Sequence, residues 1–367
     1  MMKRCSLLML VVLSAWCSFA TPTISDVKVT PVAPWGMAID YTVSGAVSGD
    51  TNMTVCVTAT GGGKSYLAKS LTGDTRCVNG AHRVMWNMAK DGITATVANG
   101  TVSVGFQAYC VIDLSGGANA KSYPVSYLSS EPSGGFNVAA YKTTKLVLKY
   151  LPAGAYKMQN VGSVTLTKPF FMGLFEVTQK QWSLVMGSNP SSSSGDALPV
   201  EWVSYDDIRG ASQGAQWPTS NAVDASSFLG KLRARTGIAF DLPTEAQWEY
   251  ACRAGTTTTY SYGNGVNGDY MWYRENSSSQ THEVGMKQPN LWGLYDLHGN
   301  VAEWCLDWLG NLSYGKDPKG SSVGDRRVSR GGMCYSTAHD CTSSGRGWGY
   351  SVNRSEFDGF RLALTLP

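Results

Sequence analysis

The chain has 367 residues, 43% of them hydrophobic and only 16% charged, with a formal net charge of +3. So small a net charge, with no basic run, excludes the electrostatic footprint of a nucleic-acid binder. The length leaves room for about two domains with sizeable cores, and 41 Gly with 12 Trp fit a turn-rich, aromatic-packed extracellular protein.

Residues 1–20 read as a cleavable signal peptide. Lys3 and Arg4 supply the positive start, Leu7–Leu13 the apolar stretch, and Ser18-Phe19-Ala20 small residues at the two cleavage-determining positions, Ser18 and Ala20. The apolar stretch is too short to span a bilayer. The expected location is therefore secreted, periplasmic or cell-surface, with no transmembrane segment in the mature chain. A lipid anchor at Cys17 is the weaker reading, because bulky Trp16 precedes it.

Of nine cysteines, Cys5 and Cys17 fall in this leader, which leaves seven. Disulfides are expected in an oxidising compartment, and an odd count leaves at least one thiol over. The four histidines are scattered and no C-x-x-C occurs, so a zinc site of ordinary spacing is excluded.

From residue 21 to 114, β-prone runs alternate with Gly-Asp, Gly-Gly-Gly and Asn-Gly turns. The runs Ile24–Thr30, Met37–Ser44, Met53–Thr60, Arg83–Met88 and Thr101–Ile112 carry Val, Ile, Tyr and Thr at period two. Short strands at about ten-residue intervals predict an all-β immunoglobulin-like sandwich. A Cys56–Cys77 bridge is compatible with that spacing. Residues 115–142, rich in Gly, Ser, Pro and Ala, read as a linker.

A second, α+β domain is expected over 143–367. It opens with strands Lys145–Leu151 and Ser163–Lys168. Thr178-Gln-Lys-Gln181 and Thr244-Glu-Ala-Gln247 are capping boxes that start helices. Asn221 to Arg235 reads as a helix stopped by Gly237. Glu245 and Glu249 sit where carboxylates favour a helix dipole. Beyond Gly255 the periodicity dissolves into loops rich in Gly, Asn, Ser, Trp and Tyr.

Five motifs then follow in order: Phe175-Glu-Val-Thr-Gln-Lys-Gln-Trp182, Leu242-Pro-Thr-Glu-Ala-Gln-Trp-Glu-Tyr-Ala-Cys-Arg-Ala-Gly255, Trp292-Gly-Leu-Tyr-Asp-Leu-His-Gly-Asn-Val-Ala-Glu-Trp304, Arg330-Gly-Gly332 and Gly359-Phe-Arg361. Together they closely resemble the sulfatase-modifying-factor family, whose founding enzymes generate formylglycine. The resemblance covers about residues 143–367 and implies a C-type-lectin-like fold with much irregular structure. Trp182, Trp248, Trp292 and Trp304 are expected in the core.

The resemblance also implies site residues. Asp296, Gly299, Val301 and Glu303 match positions that bind calcium in formylglycine-generating enzymes, and hard oxygen donors suit that ion. Those enzymes resemble copper-dependent oxidases with two cysteines five positions apart after the Gly-Gly. Here the two positions fall on Ser336 and Cys341, so one of the two soft ligands that copper(I) wants is missing. Cys334 stands out of register. A Cys334–Cys341 disulfide, pairing of either with Cys252 or Cys305, and a metal site all stay open.

The segment 331–361 also resembles the variable region of lectin-fold proteins diversified by retroelements, which keep Gly-Gly and Gly-Phe-Arg frames around changing surface residues. Tyr335, His339, Trp348, Tyr350, Asn353 and Phe357 lie inside that frame, and Tyr, Ser, Gly, Asn and Trp make adaptable binding surfaces. The function expected is binding of a protein or small-molecule ligand through the 333–358 loop surface. The alternative is oxidation of a cysteine in a sulfatase-like substrate, which alone would require copper.

Overall fold

The computed structural model describes residues 23–32, 36–44, 55–61, 64–68, 71–75, 78–88, 101–106, 108–128 and 131–366. The leader lies outside these residues, as do Cys77 and the side chain of Cys56, so the readings placed on them lie there too.

In the N-terminal part the strands are β1 (Thr23–Val32), β2 (Gly36–Ser44), β3 (Val55–Gly61), β4 (Lys64–Leu67), β5 (Leu71–Gly73), β6 (Gly80–Asn87) and β7 (Thr101–Phe106). As expected, this part is all-β among the described residues. One compact unit, residues 1–51 and 69–94, contains an antiparallel sheet in the order β1-β2-β6-β5. Its pleat sends Ile39, Tyr41, Val43, Val84 and Trp86 to a buried side, as period-two alternation dictates.

The other unit, residues 52–68 and 95–367, contains the three-stranded sheet β4-β3-β7 and all that follows. Its further elements are β8 (Tyr109–Asp113), β9 (Val125–Leu128), α1 (Ala139–Thr143), β10 (Lys145–Leu151), β11 (Gly154–Met158), β12 (Gly162–Leu166), β13 (Phe170–Gly173), α2 (Gln179–Met186), α3 (Tyr205–Arg209), α4 (Phe228–Thr236) and α5 (Glu245–Arg253). They continue with β14 (Ala302–Trp308), β15 (Gly315–Lys316), β16 (Arg326–Arg330), β17 (Arg346–Tyr350), β18 (Asp358–Gly359) and β19 (Ala363–Thr365).

Two expectations are corrected here. The run Thr101–Ile112 is two strands in different sheets, β7 and β8. The stretch read as linker is built into the fold: β9 pairs with β8, and β8 pairs with β10 in the sheet β19-β13-β10-β8-β9. The Gly and Ser of 115–120 are the turn of that hairpin rather than a spacer.

The inner strands of this sheet, β8, β10 and β13, are buried on both faces, so they read as nearly continuous apolar runs. Alternate residues feed two separate cores. Cys110, Ile112, Leu146, Leu148 and Phe171 pack with Trp182, Val185, Phe228 and Leu232 from α2 and α4. Tyr109, Val111, Val147, Phe170 and Met172 pack with Ala246, Trp248, Ala251 and Cys252 from α5. Both capping boxes form: Thr178 accepts from the Gln181 N–H and Thr244 from the Gln247 N–H. Helix α4 starts at Phe228, seven residues later than the periodicity predicts, because Ser227 caps it and Asp224 turns back to accept from the N–H groups of Ser212 and Gln213. Trp182, Trp248 and Trp304 are buried as expected; Trp292 is half-buried, edge-on to Tyr250.

The second sheet, β17-β16-β14-β18, carries the site. Strand β14 is buried on both faces, with Trp304 and Leu306 in one core and Cys305 in the other. Strand β17 is an edge.

Candidate functional site

Two buried arginines fix the ends of the segment that opens at Gly331. Arg361 Nε and Nη2 donate to the two oxygens of Glu303 at 2.6 and 2.5 Å, and Trp248 Nε1 donates to the same carboxylate at 2.7 Å. The remaining Arg361 donors reach the carbonyls of Gly173 and Tyr295 at 3.0 and 2.9 Å. Arg330 pairs with Glu249 and stands 3.6 Å from Glu245. Glu245 in turn takes Arg346 bidentately at 2.7 and 2.8 Å. Fully buried ion pairs are kept only when such hydrogen bonds satisfy them. Glu249 is therefore a counter-ion for Arg330 and Arg253 as well as a helix residue.

Of the four residues expected to hold calcium, Glu303 already has its charge partner: both its oxygens accept from Arg361, and one also from Trp248. Asp296 Oδ2 accepts from the Gly285 N–H at 2.6 Å, which leaves Oδ1 as a buried oxygen without a hydrogen bond. Burial pushes the Asp296 carboxyl up to about 6. Gly299 is required for a different reason: its φ is +89°, and its Cα packs onto the Trp272 carbonyl, where a Cβ has no room. Among the described residues no group of three His, Cys, Asp or Glu could hold a metal ion.

The loop between the frames is held by its own carbonyls. Ser277 Oγ donates to Cys334 O at 2.6 Å, Arg274 N–H to Ser336 O at 3.0 Å and Tyr260 OH to Ala338 O at 2.9 Å. His298 Nδ1 donates to Cys341 O at 2.7 Å. A carbonyl only accepts, so the proton is on Nδ1; Nε2 then accepts from the Ser261 N–H at 3.2 Å and hydroxyl at 2.9 Å. Burial lowers this imidazole to about 4 and keeps it neutral. Cys252 Sγ lies 3.8 Å from the same nitrogen. Gly332, at φ +73°, lets the loop close: a Cβ there would sit 2.7 Å from Cys341 Sγ.

Among the described residues five cysteines are buried thiols. Cys110, Cys252, Cys305, Cys334 and Cys341 are all unbridged, so of the alternatives left open for Cys334 and Cys341 the disulfides are not formed here. Burial pushes the thiols of Cys334 and Cys341 up to about 12. A nucleophile or copper ligand needs a thiolate, favoured by exposure and positive charge, and neither thiol has that setting. Ser336, at the other expected catalytic position, accepts from the Met333 N–H at 3.2 Å. The donor set therefore does not suit copper(I).

The side chains of the segment face outward. Tyr335 is 54% exposed, Trp348 50% and Tyr350 41%; His339 and Asn353 are exposed and Phe357 is half-buried. Tyr335 stacks on Phe357 at 5.9 Å, and the Arg326 guanidinium lies 3.9 Å over Trp348 and 5.1 Å from Tyr350. A recess of about 800 Å³ opens between β17 and the 332–345 loop. Met333, Ser336, His339, Trp348 and Phe357 line it, with Arg330, Arg346 and Asp358 among the charged groups. Tyr335, Tyr350 and Asn353 stand outside that lining. Sequence reasoning missed His298, Asp358 and the Glu245–Glu249 pair. For the glutamates a signal existed, two carboxylates four apart on one helix in a chain whose arginines sit beside glycines; for Asp358 none did.

A family model described as "Sulfatase-modifying factor enzyme 1-like domain" matches residues 136–366. "Chaperone protein LppX" of Paenibacillus barcinonensis is 31% identical over 252 residues, 59% of this chain and 78% of that protein. The "Formylglycine-generating enzyme" of Streptomyces coelicolor is 35% identical over 114 residues, 26% of this chain and 36% of that enzyme. The chain thus spans about a third of that enzyme's length. The solved structure of "Treponema denticola variable protein 1" is similar at TM-score 0.51 and 29% identity, covering 61% of this chain and 96% of that one.

Proposed function

The chain belongs to the sulfatase-modifying-factor family, and from that premise we propose that it binds a ligand or protein through the 333–358 surface instead of oxidising a cysteine. The observation that carries this is the recess of about 800 Å³ walled by Trp348, Phe357 and Met333. That volume lies in the range of ligand sites, and the lining sets these apolar walls among many polar and charged side chains. The loop's hold on its own carbonyls supports the reading, since the exposed side chains of Tyr335 and His339 can change without touching those bonds. The relatives named as a chaperone and a variable protein are compatible with recognition. In this proposal the N-terminal strands are an immunoglobulin-like module and residues 1–20 direct export; N-terminal sequencing of exported protein should start at or near Thr21.

Peptide and glycan arrays probed with the full chain and with a Tyr335→Ala/Trp348→Ala variant test the binding. Spots bound by the wild type should vanish with the variant; identical patterns would sink the surface. Copper(I) uptake together with oxygen consumption on a cysteine-containing peptide would reverse the reading in favour of the oxidase.

A further inference from the structure

The charges lining the recess are unequal in their commitments. Arg346 is held bidentately by Glu245, and Arg330 by Glu249. Asp340 Oδ2 accepts from the N–H and the hydroxyl of Thr337 at 3.2 and 2.7 Å. The His339 side chain is 95% exposed, beside Asp340 at 4.0 Å. Asp358 differs from all of these. Its backbone pairs with Ala302 where β18 joins β14, while burial is the sole influence on its carboxyl, which it pushes up to about 6. No hydrogen bond or ion pair to that carboxyl occurs among the described residues. Asp358 is half-buried and lines the recess, so an ionised carboxylate there is open to a cation that enters it.

We propose that the recess takes a cationic side chain, an ammonium or guanidinium carried on a peptide, with Asp358 as its counter-ion and Trp348 and Phe357 as aromatic walls. This rests on the binding function above and gives that surface its ligand chemistry. A charge-assisted hydrogen bond is about twice as strong as a neutral one, so Asp358 discriminates a cation from a neutral donor. An aromatic face attracts a cation at close range, as the Arg326 guanidinium 3.9 Å over Trp348 shows. A peptide is preferred to a free amine on two grounds. The recess of about 800 Å³ is several times the volume of one side chain, and its lining runs across β14, β16, β17 and β18, a span that a single free amine does not fill.

The test is calorimetric titration of the full chain with blocked Gly/Ser heptapeptides that differ at one central residue: Arg, Lys, citrulline or Glu. The Arg and Lys peptides should bind about tenfold or more tightly than the citrulline peptide, with the Glu peptide weakest. Asp358→Asn, which keeps the shape, should erase the difference between Arg and citrulline. Equal binding of Arg and citrulline peptides by the wild type overturns the proposal without recourse to any variant, as does absence of binding by every peptide at about 1 mM. Free arginine amide binding as tightly as the Arg peptide overturns the peptide part. If Trp348→Ala abolishes binding while Asp358→Asn leaves the Arg preference intact, the surface stands and the counter-ion falls. If neither variant affects any peptide, both fall.

Discussion

The two arginine frames and the loop they hold differ in almost every physical respect. In the frames, long charged side chains are fully buried, and Arg330 and Arg361 are each paired with carboxylates and backbone carbonyls. In the loop, aromatic side chains stand half in water while the thiols lie inside. The frame is specified by side chains and the loop by its main chain. A fold built this way separates stability from recognition at Tyr335, Trp348 and Tyr350, whose exposed rings accept none of the bonds that hold the loop's carbonyls.

Breaking the frame should produce the largest effect. Arg361→Ala leaves Glu303 buried and unpaired and should cost about 3–5 kcal/mol, read as a lowered denaturant midpoint. The double variant Arg361→Met/Glu303→Leu should be markedly less damaged than the single. Equal damage would mean that packing rather than charge pairing makes the frame.

The pH response locates the hinge between the regions. His298 is neutral in the fold, near 4 against an ordinary 6.5. Its contribution is fully present above pH 6.5 and is lost as pH falls toward 4, about 3 kcal/mol in all. Asp296 and Asp358, raised to about 6, act with the opposite sign: they hold protons that the unfolded chain has released, so their contribution falls as pH rises from about 4 to 6. The clean measurement is therefore the stability difference between wild type and His298→Gln across pH 7.5 to 4. A constant difference would show that His298 does not titrate as its surroundings dictate.

Gly332→Ala sits at the boundary of frame and loop. A left-handed backbone costs about 1–2 kcal/mol with a Cβ, and Cys341 Sγ must also move, so thermal unfolding should shift downward by at least that amount. The smallest effect belongs to the surface. Trp348→Ala and Tyr350→Ala should each change stability by no more than about 0.5 kcal/mol. A large loss there would erase the distinction between regions.

The C-terminal fold was largely legible in the sequence because its signals are local. Both capping boxes, the strand at Lys145–Leu151 and the buried tryptophans follow from residues a few positions apart. The site was legible in outline only. Gly332 and Gly359 bound it, and Trp348 and Phe357 line it. Yet Glu303 carries no mark that tells a calcium ligand from the partner of Arg361, fifty-eight positions away. The thiols posed the same problem: spacing alone does not reveal that Cys334 and Cys341 point inward, unbridged. Asp358 gained its role from its place in the recess and from the absence of a partner, which are properties of three-dimensional surroundings.

The hairpin β8–β9 has a practical consequence. The family match begins at residue 136, yet β8 is an interior strand whose five residues lie between β10 and β9. A fragment cut at 136 would lose Cys110 and Ile112 from one core and Tyr109 and Val111 from the other, and would bare a long flat apolar strand, β10, as a template for aggregation. Recombinant work on the C-terminal half should begin before Ala108, so that the sheet keeps its own edge.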